Sequence, residues 1–82
     1  MTMDETRWLK MLENSGLTLK GYDEENGIYE AETETQRGTL HIYGGVNGTA
    51  RLDKPNGTHK WLYDKSIAQV GAAIRQTMAF YK

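Results

Sequence analysis

Three glutamates recur at alternate positions, Glu30, Glu32 and Glu34, and Asp23, Glu24 and Glu25 lie just before them, so residues 21–36 hold six acids and no base. At strand periodicity the three glutamates share one face, and Tyr29, Ala31, Thr33 and Thr35 share the other. Carboxylates so placed could do acid–base chemistry only if two faced each other across a cleft about 5 to 10 Å wide, with one pKa raised by burial. An exposed strand face supplies neither condition. The chemistry left to them is attraction of a cationic surface, with all six acids as the docking residues. The plainer reading is a solvated polar face, on which Lys20, His41 and Arg51 pair with the glutamates across strands for a few tenths of a kcal/mol each. As a mimic of DNA the row is thin. Glu30 to Glu34 spans about 13 Å, over which duplex DNA carries roughly eight charges.

A second constellation is basic and aromatic: His59, Lys60, Trp61, Leu62, Tyr63 and Lys65, with Arg51 and Lys54 upstream. Such interleaving can hold a single-stranded nucleic acid, because cations track phosphates while an exposed ring stacks on a base for about 1 to 3 kcal/mol. Arg51, Lys54, Lys60 and Trp61 are the candidates for that role. The simpler expectation is that Trp61, with Tyr63, is core wedged between a sheet and the last helix. A pI near 6.1 and an acidic strand also disfavour a phosphate ligand.

Signals for catalysis are poorer. The only histidines are His41 and His59 and the only serines Ser15 and Ser66, with no nucleophile in a recognisable elbow. His41, His59 and Asp53 could converge on a metal, yet two histidines 18 residues apart are more simply surface residues. The glycines from Gly44 to Gly48 have neither Walker nor dinucleotide spacing. The run from Asp23 to Gly27 places its glycine one position early for a calcium loop. A protein that is not an enzyme and needs no cofactor is expected.

The elements that must position these groups follow from pattern. Eighty-two residues allow one domain with a modest core, and 38% hydrophobic content with two Trp, five Tyr and one Phe is too rich for disorder. No cysteine is present, which suits a reducing compartment, with the cytoplasm as the expected location. Acids at Asp4 and Glu5 and the shortness of every apolar run predict neither a signal peptide nor a membrane span. The formal charge of −1 hides a split: residues 1–41 hold nine acids and four bases, a balance of −5, and residues 42–82 two acids and six bases, a balance of +4.

Trp8, Met11, Leu12 and Ser15 form a helical stripe over about Met3 to Asn14, with Thr2 and Glu5 at capping-box spacing and Gly16 as its end. Strands are predicted near Leu17 to Tyr22, Ile28 to Thr35, Gly38 to Tyr43, Thr49 to Asp53 and Thr58 to Tyr63. Asn26-Gly27, Arg37-Gly38, Asn47-Gly48 and Asn56-Gly57 mark tight turns between them. The fifth strand could instead be an extended lead into a helix from about Lys65 to Tyr81, which Asp64 or Ser66 could cap. The fold class is therefore α+β: an N-terminal helix, a four- to five-stranded antiparallel meander sheet and a C-terminal helix, both helices on one sheet face. Leu17, Leu19, Tyr29, Ala31, Leu40, Ile42, Ala50 and Leu52 would be buried beneath them.

The other face would be open. It suggests a protein-binding module, a small inhibitor or adaptor of the kind phages and mobile elements carry, by analogy of size and charge alone. Its partner would be a protein with a basic surface, such as one that handles nucleic acid. A second copy could join through an edge strand or Phe80, because Trp8, Tyr22, Tyr43, Phe80 and Tyr81 cannot all fit in so small a core.

Overall fold

The computed structural model describes residues 3–45 and 49–81. A helix, α1 (Met3–Asn14), leads into five strands, β1 (Thr18–Asp23), β2 (Ile28–Thr35), β3 (Gly38–Gly44), β4 (Thr49–Asp53) and β5 (His59–Tyr63), which a second helix, α2 (Ile67–Phe80), follows. The strands form one open sheet in sequence order, every neighbouring pair antiparallel. The segment of the fifth strand pairs with β4 along its length, which decides between the two expectations for it. The Thr2–Glu5 capping box and the Asn47–Gly48 turn lie outside the described residues.

Both helix ends are chemically specified. After α1, the Gly16 amide donates to the Glu13 carbonyl and the Leu17 amide to the Leu12 carbonyl, each at 3.0 Å, with Gly16 at φ +84°. This is the Schellman arrangement, which needs a left-handed residue and pairs two apolar side chains, here the buried Leu12 and Leu17. At α2 the cap is Ser66, not Asp64. Its hydroxyl accepts from the Gln69 amide, and the Gln69 side chain accepts from the Ser66 amide.

One apolar cluster joins the layers. Trp8, Met11 and Leu12 of α1 and Val70 and Ile74 of α2 pack with Tyr29, Ala31, Leu40, Ile42, Ala50, Leu52 and Leu62 of the sheet. Leu40, Ile42, Leu52 and Ile74 are the largest side chains removed from water altogether, each worth about 1.5 to 3 kcal/mol of transfer free energy. A Cβ at Gly71 would lie 3.0 Å from Met11 Cγ, so the missing side chain lets the helices touch. Arg75 Nη1 donates to Ser15 Oγ at 3.3 Å one turn further on. Contacts therefore climb both helices together, and α1 and α2 run parallel. An odd number of hairpin-joined strands between them agrees with this, since β1 and β5 run the same way.

One expected core residue is not buried. Leu19 faces the helix side opposite Ala31 but is 47% exposed, because β1 is an edge strand with no further strand beside it to help cover this position. Past Leu19 the register shifts. Lys20 is the extra residue of a β-bulge, Gly21 stands opposite Glu30, and Tyr22 returns to the helix side to stack on Tyr29 with ring centres 4.4 Å apart. Of the aromatics expected to overflow the core, Trp8 and Tyr81 are buried, while Tyr22 and Phe80 are exposed.

Two outcomes follow. A Cβ at Gly45 would overlap the Gly27 carbonyl oxygen, backbone against backbone, so Gly45→Ala should cost about 2 kcal/mol in urea denaturation. The Tyr29 hydroxyl donates to Glu5 Oε2 at 3.1 Å; burial, then this carboxylate, pushes its pKa up to about 12. In the unfolded chain it ionises near 10. Stability should be intact below pH 10 and fall as the pH rises from 10 through about 12, because the unfolded state releases the proton first. Unfolding midpoints of the protein and of Tyr29→Phe across that range check this, the variant showing the shallower fall.

Candidate functional site

The sheet face turned away from the helices carries the groups that strand parity sends outward. From β1 come Thr18 and Lys20, from β2 Glu30, Glu32 and Glu34, and from β3 Thr39, His41 and Tyr43. Strand β4 adds Arg51 and Asp53, and β5 adds His59, Trp61 and Tyr63. The face divides in two, with carboxylates crowded on β2 and rings on β3 to β5.

Several of the expected docking acids already have partners within the chain. Glu32 takes Lys20 Nζ at 3.3 Å and His41 Nε2 at 2.7 Å. Glu34 accepts the Thr39 hydroxyl at 2.6 Å, directly across the strand pair. Asp23 holds its own turn: Oδ1 accepts the Glu25 and Asn26 amides at 3.1 and 3.2 Å, and Oδ2 accepts the Asn26 side chain at 2.8 Å. The Asn26 side chain, then its amide, lowers the Asp23 pKa, so the charge persists. Glu24 and Glu25 stand exposed on that turn. Glu30 makes no ion pair among the described residues. It lies beside Tyr43, whose pKa is raised first by burial and then by the Glu30 charge.

The ring half is a stacked array. Arg51 lies across strands from both Tyr43 and Trp61, its guanidinium carbon 4.8 Å from the first ring centre and 5.8 Å from the second. Trp61 stacks with Tyr63 at 5.9 Å and 11°, His59 meets Trp61 edge-on at 6.2 Å, and His41 stacks with Tyr43 at 6.1 Å. Asp53 fixes the arginine: Nε lies 2.9 Å from Oδ1, and Nη2 donates to Oδ2 at 3.1 Å. The Nε–H is not aimed at the oxygen, so the first contact is an ion pair rather than an aligned hydrogen bond. Each cation–π contact contributes about 0.5 to 1 kcal/mol at an exposed site.

This array overturns the expectation that Trp61 and Tyr63 are core, since they are 47% and 59% exposed. Only Leu62 between them turns inward to the apolar cluster. The four residues proposed for a nucleic acid also fail to converge. Arg51 and Trp61 meet on the open face, Lys60 stands opposite Leu52 and therefore on the helix side, and Lys54 opens the turn after β4. The ring array itself was missed, although alternation alone puts His59, Trp61 and Tyr63 on one side. What pattern could not supply is the register that stands Trp61 next to Arg51 and Arg51 next to Tyr43.

The two tryptophans provide a direct check. Trp8 is buried and Trp61 exposed, so acrylamide should quench the single tryptophan of Trp8→Phe strongly and that of Trp61→Phe weakly. No family model, curated protein or solved structure matches the chain, and the functional reading therefore rests on the geometry of this face.

Proposed function

We propose that the chain is a non-enzymatic protein-binding module, a small inhibitor or adaptor, that docks a basic surface of a partner protein through its open sheet face. The observation that carries this is the side-by-side placement of a half-buried Tyr43–Arg51 pair, the exposed Trp61 and Tyr63 rings that continue it, and a row of carboxylates on one sheet face. Tyrosine, tryptophan and arginine are the side chains that most often dominate binding energy at protein interfaces. Carboxylates at the rim mainly accelerate and orient the encounter. Affinity is thus assigned to the ring half and steering to the acid half.

Size sets a condition. Five strands about 4.8 Å apart and roughly 20 Å long present a projected area of about 400 Å², half of the roughly 800 Å² that each partner gives a standard interface. Side chains standing on the sheet add to this projected area, so docking of ordinary strength would use the whole face and its rim, where the acidic turn at Asp23, Glu24 and Glu25 lies.

A second reading has one observation in its favour: an exposed Trp61 ring beside Arg51 is a platform on which a base of single-stranded nucleic acid could stack. The carboxylates on the same face repel phosphate, which ranks it below the first.

The partner recovered with the tagged chain from its host, purified and assayed by surface plasmon resonance, separates the two. Trp61→Ala should weaken its binding by about 30-fold or more, chiefly through faster dissociation. Glu30→Lys with Glu34→Lys should slow association, most at low salt. Full binding by both variants would sink the proposal. Quenching of Trp61 by a thymidine oligonucleotide, with no partner affinity for this face, would install the second reading instead.

A further inference from the structure

One end of the open face is notched. Gly21, opposite Glu30 just past the bulge, contributes no side chain, and a cavity of about 340 Å³ opens there, lined by Gly21, Tyr22, Asp23, Ile28, Glu30 and Tyr43. A Cβ built on Gly21 would meet only Glu30 Oε2, at 3.7 Å, so any larger side chain at 21 would roof the carboxylate that glycine leaves open. Ile28 and Tyr43 also line a second cavity of about 290 Å³, which continues past Arg51 to Trp61 over Ala50. The two cavities meet at Ile28 and Tyr43 as a trough with carboxylates at its Gly21 end and the Arg51 guanidinium and Trp61 ring at the other.

Charge in the trough is unbalanced. Asp23 and Glu30 face the notch, whereas the nearest cations are committed elsewhere, Lys20 to Glu32 and Arg51 to Asp53. Asp23 is held in its turn by three hydrogen bonds, whereas Glu30 is held by no cation among the described residues and by the Tyr43 hydroxyl, a neutral partner that a guanidinium could share or displace. A planar guanidinium suits this site better than an ammonium, because it can fork onto a carboxylate and lie against an aromatic ring, and Glu30 and Tyr43 adjoin here.

We propose that the notch receives an arginine side chain of the partner, its guanidinium forked onto Glu30 against Tyr43, while a neighbouring apolar side chain enters the adjoining cavity over Ile28 and Ala50, beside the Arg51 guanidinium that already lies between the Tyr43 and Trp61 rings. This rests on the docking reading of the open face and specifies what the partner must present there: an arginine with an apolar side chain close beside it.

The test uses the full chain, labelled with nitrogen-15, and three blocked tetrapeptides: Gly-Arg-Leu-Gly, its citrulline counterpart, in which a neutral urea replaces the guanidinium, and its lysine counterpart. The arginine peptide should shift the amides of Gly21, Ile28, Glu30 and Tyr43 and the Trp61 indole. The citrulline peptide should bind about ten-fold more weakly or worse, and the lysine peptide in between. Gly21→Val and Glu30→Gln should each weaken the arginine peptide about ten-fold, while Glu34→Gln leaves it within about two-fold. Gly21 lies outside the positive-φ region, so valine is conformationally allowed in its strand; circular dichroism checks the fold, and Glu30→Gln decides if it fails.

Equal binding of the arginine and citrulline peptides overturns the notch, as do shifts confined to Glu34 and Thr39. Either result leaves the docking reading intact if the host partner still requires Trp61. A host partner whose binding is indifferent to Gly21→Val, Glu30→Gln and Trp61→Ala alike removes both.

Discussion

Burial of one sheet face beneath two helices governs everything else in this molecule. Leu40, Ile42 and Leu52 must meet Ile74, and once they do, the alternation of the pleat leaves no choice for their neighbours. Tyr43 and Arg51 then face water because Ile42 and Leu52 do not, and the glutamates of β2 face water because Tyr29 and Ala31 do not. A slip of one residue in any strand would bury charge and expose the core together, a cost no surface interaction here could offset. The chemistry displayed on this face is thus inherited from packing on the other.

Given that parity, outward groups compete for each other before any partner arrives. Glu32 is the carboxylate most fully answered, by Lys20 and His41, and Asp53 is tied to Arg51. Such half-exposed pairs contribute little to stability, about 0 to 1 kcal/mol. Their larger consequence is spatial: they hold the cations away from Glu30 and leave the negative field uneven. On the ring side, Asp53 does for Arg51 what a rigid scaffold would do. It restrains a long side chain between two aromatic rings, so less freedom would be lost were that side chain covered.

The architecture was legible because its signals are local. Helical stripes, alternating runs and glycine turns place both helices and four strands within one or two residues and leave the fifth between a strand and an extended lead, and the acidic strand points outward as its pattern demands. What pattern concealed depends on pairs of strands. Leu19 was assigned to the core from alternation, but coverage of an edge strand is decided by where the helices lie, and no run of residues encodes that. Trp61 was assigned to the core from its size and apolarity. Burial instead went to the smaller Leu62, because a single parity must serve β5 and its partner β4. The bulge at Lys20 was invisible for a similar reason, since an extra residue shows only against the strand it opposes.

The parallel course of α1 and α2 has an electrical consequence. Dipoles of antiparallel neighbours cancel, whereas here both amino ends, each equivalent to about half a positive charge, gather at one end of the molecule. Chain direction places the Asp23–Glu25 hairpin tip at that same end, and no acid occupies the first turn of α2 to offset the field from within. Glu5 answers that pole within the first turn of α1, whereas α2 brings no such acid, so the uncompensated part of the field belongs to the second helix.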